Sequence, residues 1–316
     1  MKMRLLLLIV SVGSLGLAQP SSKLGGQPGS PIRMGFGAEG IGFGNALVAM
    51  RSNPMTGYYN PALLPFQENP IAFASVGFLS LDRNLNFVSY SRPVEPSGGI
   101  SIGLINAGVS DIEGRDSDGR RTSTFSTSEN AFLLSFGVRV DQRVSIGIST
   151  KILYYHLYTD INSTTVGFDV GMAAIVTEEL TLGMSLQDIG SKYKWNTTGL
   201  YGVNGNATTD RFPLRKKIGI AYASSSFPLQ ASIESEHVSG VFLFRMGAAF
   251  HLIPEFVLRA GVDHISLSDN LLPKPAFGFT TTTAIGALTT FLSYTYVIEP
   301  YSPGGFHLLA LGVEFR

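Results

Sequence analysis

The stretch that decides the fold is Phe132-Leu133-Leu134-Ser135-Phe136-Gly137-Val138-Arg139-Val140. Phe132, Leu134, Phe136, Val138 and Val140 share one parity, and Ser135, Gly137 and Arg139 share the other. The next segment repeats the pattern, with Val144, Ile146, Ile148 and Ile152 alternating with Ser145, Gly147, Ser149 and Lys151. A helix would group apolar residues three and four apart, so period two predicts strands. The same reading places about fourteen strands, an even number as single-chain outer-membrane barrels favour. They fall near 69–79, 85–94, 98–107, 128–140, 143–155, 164–176, 179–188, 214–223, 228–237, 241–251, 254–265, 275–283, 286–297 and 306–315.

Alternation alone also fits a soluble sandwich; the charges separate the two. Arg139, Lys151, Asp169, Glu234, Glu236, Arg245, Arg259, Asp263 and Glu314 lie inside strands, each opposite the large apolar residues. The rest of that face is Gly, Ser, Thr and Ala, the small residues that a closed barrel's interior requires. Arg139, Lys151, Asp169, Glu234, Arg245, Arg259 and Asp263 are therefore expected to line a lumen, with the apolar face toward lipid. Only helices and closed barrels satisfy their backbone in hydrocarbon. The predicted class is all-β: a transmembrane antiparallel barrel.

Composition agrees. Only 15% of the 316 residues are charged, and Lys+Arg and Asp+Glu are balanced at 23 each, which excludes a basic nucleic-acid-binding surface. Mean hydropathy is +0.21. The absence of Cys excludes disulfides and thiolate metal sites. Lys2 and Arg4, the apolar run Leu5 to Val12, and small residues at Gly16 and Ala18 read as a signal peptide over 1–18, cut after Ala18. Residues 19–66 then form a linker and hatch, and 67–316 the barrel. Asp141-Gln142, Thr177-Glu178, Ser224-Ser225-Ser226 and Ile253-Pro254-Glu255 are tight turns; Gly108 to Thr127 and Ile189 to Pro213 are long connections. All the tight turns fall on one side, expected to be periplasmic together with both termini, in the outer membrane of a Gram-negative-type bacterium.

Residues 31–66 do not alternate. Gly35-x-Gly37-x-x-Gly40 matches a dinucleotide fingerprint as a string but lacks the strand before it and the βαβ unit around it. The better reading is a turn-rich hatch inside the barrel, its glycines allowing close backbone approach. Gly37, Ala38, Gly42, Gly44, Ala46, Val48, Ala49, Pro54, Tyr59, Asn60, Pro61, Ala62 and Leu64 resemble the N-terminal signature of the FadL-type superfamily, and more closely its PorV/PorQ branch. Departures are Glu39, Asn45, Ser52-Asn53 and Leu63. The resemblance implies a fourteen-stranded barrel plugged by an N-terminal hatch, with Gly37, Gly42, Gly44, Pro54, Tyr59, Asn60, Pro61 and Ala62 as its motif. The PorV/PorQ branch implies an accessory of protein secretion or surface attachment (type IX-like), whose partner is a translocon or attachment complex. The wider superfamily implies a passive channel for hydrophobic small molecules such as long-chain fatty acids. Outer-membrane lipid and the barrel assembly machinery are expected partners on either reading.

Other constellations are weak. Asp111, Glu113, Asp116 and Asp118 could gather a cation in the first long loop, although the EF-hand pattern is missing. The five histidines lack ligand-pair spacing, no Gly-x-Ser-x-Gly elbow occurs, and no cofactor or enzymatic activity is expected. Tyr154, Tyr155, Tyr158, Tyr294, Tyr296 and Tyr301 read as an interfacial girdle.

Overall fold

A computed structural model describes residues 22–51, 53–224, 226–300, 302 and 304–316. The predicted signal peptide, Ser52 and Tyr301 lie outside them. The strands are β1 (Ile71–Phe78), β2 (Arg83–Val94), β3 (Gly98–Arg115), β4 (Arg121–Arg139), β5 (Val144–Tyr158), β6 (Ile161–Ile175), β7 (Leu180–Ile189), β8 (Lys192–Asn196), β9 (Ala207–Arg211), β10 (Arg215–Ala223), β11 (Leu229–Val238), β12 (Val241–Ile253), β13 (Phe256–Ser266), β14 (Lys274–Ile285), β15 (Leu288–Val297) and β16 (Phe306–Phe315). Fourteen of them close into an antiparallel barrel. The seam pairs β1 with β16, Ile71 opposite Glu314 and Phe78 opposite His307. β7 pairs directly with β10, so β8 and β9 stand outside the ring as a separate hairpin.

Side-chain parity follows the sequence reading. Phe136, Ile148 and Leu258 are 47%, 46% and 44% exposed, whereas Ser135 and Ser149 on the opposite face are 1% and 0%. Such an apolar exterior around a closed hydrogen-bonded ring belongs against hydrocarbon. Arg at Phe136, Ile148 or Leu258 is expected to cost about 2–4 kcal/mol and block assembly. Loss of heat-modifiable gel mobility reads this, and wild-type mobility in all three variants would refute the register. The exposed Ser123 is the control position.

Three expectations need correction. Both long connections contain strands. β3 and β4 run on beyond the ring as a hairpin to Arg115 and Arg121, and the second connection holds β8–β9. The lumen face is not uniformly small, because Leu85, Phe87, Ile105, Leu133, Leu153 and Leu308 point inward and are fully or nearly fully buried. They meet the apolar side chains of the hatch, for which Ser and Thr would be poor company. Lastly, the two ends of the described chain lie at opposite ends of the barrel. Arg316 is at the tight-turn end, its amide bonded to the Ala287 carbonyl. Ser22 is at the long-loop end, its hydroxyl donating to Asp269 at 2.8 Å. An even strand count fixes where β1 begins, not how far the segment before it climbs through the lumen.

That segment descends from the long-loop end through helix α1 (Gly37–Gly42), helix α2 (Thr56–Tyr59) and a tight 3-10 turn (Pro61–Phe66) before entering β1. From Gly35 to Met50 every residue is buried, and Phe36, Ile41, Phe43, Leu47, Val48 and Tyr59 form one core with the inward wall side chains. Phe36 stacks obliquely on Phe87 at 4.6 Å between ring centres.

Candidate functional site: a seated plug between two cavities

The wall receives the plug on glycines. Gly99, Gly137, Gly147 and Gly171 are direct register partners across β3, β4, β5 and β6. A Cβ on any of them would overlap Leu64, Pro61 or Asn60. Gly183 and Gly219 pair across β7 and β10 and seat Val48; Gly247 and Gly261 pair across β12 and β13 and seat Phe43 and Gly44. Glycine weakens a strand interior but admits another backbone at close range. Gly261, and Ser149 beneath Gly57, are therefore not permissive lumen positions for a charge, contrary to what small-residue parity suggested.

The hatch motif supplies the other half of these contacts. Gly37 and Gly44 have φ of 72° and 64°, and Gly44 lies against the backbones of Met246 and Val262, so both needs for glycine apply. Gly42 abuts Thr295. The Asn60 amide donates to the Val48 carbonyl at 2.7 Å and the Met172 carbonyl at 3.1 Å, while its oxygen accepts from the Ala62 amide. Fully buried, it ties two hatch segments to β6. Pro61 rests on Gly137 and Gly147, and the Ala62 carbonyl accepts from Ser145. The Tyr59 hydroxyl accepts from the Phe36 amide and donates to Asn45 at 2.7 Å. Pro54 borders the cavity at the tight-turn end.

The lumen charges form two ionic groups. In the first, Lys151 bridges Asp169 at 2.7 Å and Asp188 at 2.5 Å. In the second, Arg215 forks onto Glu236 at 2.8 and 2.9 Å, Lys217 reaches Glu234 at 3.2 Å, and Arg245 contacts Glu234, Glu236 and Asp263 at 3.2, 2.6 and 2.6 Å. The second group also holds the hatch: Glu234 accepts from the Val48 amide, and Asp263 accepts from the Asn45 amide group at 2.8 Å. Each group sits at a wall bulge, where a carboxylate takes a freed backbone N–H, Asp188 N onto Asp169 and His264 N onto Asp263. Arg259 stands apart, donating to Thr280. Arg139 does not line the lumen; it is exposed at the rim, because β4 ends there. Arg215 and Lys217 escaped notice in the sequence, although they share parity with Gly219 and Ala221.

The acidic loop does not assemble into a cation site. Glu113 pairs with Arg115 and Arg121, and Asp116 accepts from the Asp118 and Arg120 amides. Asp118 faces Arg120 at 3.6 Å and Asp111 stands exposed, and among the described residues no group of three His, Asp or Glu side chains is gathered for a metal. Tyr155 is no girdle residue either; it faces inward against Tyr193 and Trp195 of β8. This hairpin caps the mouth over β4–β6. The Tyr193 hydroxyl donates to Glu129 at 2.6 Å, and burial, reinforced by that carboxylate, pushes its pKa up and keeps it a donor.

Among the described residues two sizeable cavities lie on either side of α1. The long-loop cavity, about 800 Å³, is walled by Leu24, Met34, Ile41, Val238, Leu243, Leu271, Val297 and Phe306, with Arg33, Arg215, Glu236, Arg245 and Asp263 among its polar groups. The tight-turn cavity, about 400 Å³, includes Glu39, Phe43, Leu47, Met50 and Arg259. Ile41 and Asn45 face the first, Glu39 and Phe43 the second, so α1 and the turn after it are the partition.

No protein-family model matches the sequence, and no curated protein matches it. Solved structures do. The Ralstonia pickettii toluene transporter TbuX superposes with a TM-score of 0.64 at 11% identity, covering 89% of this chain and 98% of its own. The CymD monoaromatic hydrocarbon channel gives 0.64 at 12% identity, covering 90% and 98%. A Pseudomonas aeruginosa FadL homologue gives 0.61 at 11% identity, covering 89% and 98%. The fold is that of the FadL-like outer-membrane barrels. Such a fold persists at low identity because its wall asks for apolar residues outside and for inward ones that fit what fills the lumen, and many sequences meet that demand.

Proposed function

We propose that this protein is a passive, non-catalytic channel that admits hydrophobic small molecules across the outer membrane, with its long loops toward the medium and its tight turns toward the periplasm. The long-loop cavity carries the reading. Its volume, about 800 Å³, lies in the usual range for small-ligand sites, and its lining sets apolar side chains such as Ile41, Leu243, Leu271, Val297 and Phe306 beside eight charged ones. The similar solved structures bear the names of toluene transporters and a hydrocarbon channel, which favours small-molecule passage over the secretion role that the PorV/PorQ resemblance suggested.

Intact cells displaying the protein are expected to take up labelled toluene or oleate several-fold faster than cells without it. Leu243→Trp, which fills the cavity from a buried wall position, should abolish most of that gain while leaving heat-modifiable mobility intact. Equal uptake with and without the protein, for both probes, would overturn the proposal.

A further inference from the structure

The chain ahead of the hatch crosses the mouth of the long-loop cavity, and Ser22, Leu24, Gly25, Gly26, Gln27 and Ser30 are part of its lining. We propose that residues 22–30 are a strap that closes this cavity, latched by Asp269, and that the cavity opens to the outside when the latch releases. Among the described residues the strap's attachments lie at the mouth, on the connection after β13 and on the facing ends of β11 and β12. One Asp269 carboxylate oxygen accepts from the Ser22 hydroxyl at 2.8 Å and from the Lys23 amide at 3.2 Å. Leu24 packs against Val238, Val241 and Leu243 at the mouth end of β11 and β12, a cluster that Leu271 from the connection after β13 also covers. Gln27 donates to Ser239 at 3.3 Å.

Composition separates strap from hatch. Leu24 is the sole large apolar residue between Ser22 and Ser30, whereas the hatch buries Phe36, Ile41, Phe43, Leu47, Val48 and Met55 in the core and is seated on glycines. Gly25, Gly26, Pro28 and Gly29 supply turns, with Gly26 and Gly29 both at φ 71°. The base is fixed where the two meet: Arg33 donates to the Gly29 and Pro28 carbonyls at 3.0 and 2.6 Å, its guanidinium over the Phe212 ring. A strap hinged there and held, among the described residues, by Asp269, Ser239 and the apolar cluster under Leu24 can lift without unseating α1. The regions that open most readily are those with few buried apolar contacts.

This inference rests on the proposed channel for what enters the cavity, but its first test needs no substrate. The chain has no native cysteine, so Val297→Cys in the cavity wall reports access to a bulky, membrane-impermeant maleimide on the folded full chain in detergent. Met34→Cys serves as a second reporter should Val297→Cys fail to fold. Adding Asp269→Ala or Leu24→Asp is expected to speed labelling at least ten-fold at unchanged heat-modifiable mobility. Unchanged rates in both would overturn the strap. In the second test, Ser22→Cys with Asp269→Cys, oxidised, should stop hydrophobe uptake, and reductant should restore it. Uptake that persists in the oxidised form overturns the strap; faster labelling with no uptake in any form upholds the strap and overturns the channel.

Discussion

Glu236→Ala is expected to destabilise the barrel by about 3–5 kcal/mol, the range for stranding a buried charge by removing its partner. Three cations converge on this carboxylate: Arg215 with a two-point fork, Arg245 at 2.6 Å and Lys217 at 3.8 Å. All four side chains are at least nine-tenths buried. Lys217 and Arg245 keep Glu234, and Arg245 keeps Asp263, but Arg215 has no other carboxylate within ion-pair distance among the described residues. The damage should therefore localise to Arg215, and Glu236→Leu combined with Arg215→Leu should recover part of the loss. The midpoint of urea unfolding, followed by heat-modifiable mobility, measures both. An unfolding free energy within 1 kcal/mol of wild type for Glu236→Ala, on the scale of a surface substitution, would show that the ionic group contributes little to holding this side of the barrel.

Deleting residues 31–66 should leave a barrel that folds less stably and leaks. The hatch is what separates a cavity of about 800 Å³ from one of about 400 Å³, and its removal joins them into a channel open at both ends. Rings of fourteen strands are wide enough for water once the lumen is cleared. Swelling of liposomes in sugar solutions is expected to rise from near the protein-free rate to that of an open pore. Swelling that stays at the parent's rate would mean that loops, not the hatch, seal the barrel. The cost in stability has a definite source: Leu85, Phe87, Ile105, Leu133 and Leu153 would lose their apolar partners and face water, at about 1.5–3 kcal/mol for each side chain fully exposed.

How much of this was legible depended on how local the cause was. The parity of Phe132 to Val140 is a property of consecutive residues, and it gave the outward face and the inward placement of Lys151, Asp169, Glu234, Arg245 and Asp263. The pairing of Lys151 with Asp188 was hidden, because the bulge opposite Phe168 and Val170 turns Asp188 inward against its parity, and no residue type announces a bulge. Arg139 has lumen parity, yet a strand's end is poorly fixed by pattern, and one residue of length separates wall from rim. The glycines of the wall were visible only as small residues. Their meaning lies in Gly99, Gly137, Gly147 and Gly171 being neighbours across four strands, which requires the register. The hatch motif marked a plug, but not that its leading end emerges beside Asp269.

The seating of the hatch bears on how the molecule is put together. The plug touches strands from both halves of the chain, from β3 to β7 and from β10 to β15, and the segments before and after it leave by opposite ends. Once seated, it leaves no room for one added methyl group at Gly99, Gly147, Gly183 or Gly247. In the finished molecule the sheet encircles the plug as a sleeve does a mandrel, closed by the β1–β16 seam, whose partners Phe78 and His307 stand far apart in the chain. Plug and ring are thereby interlocked like a bolt in its sleeve, and neither can be withdrawn without parting contacts around the whole circumference of the other.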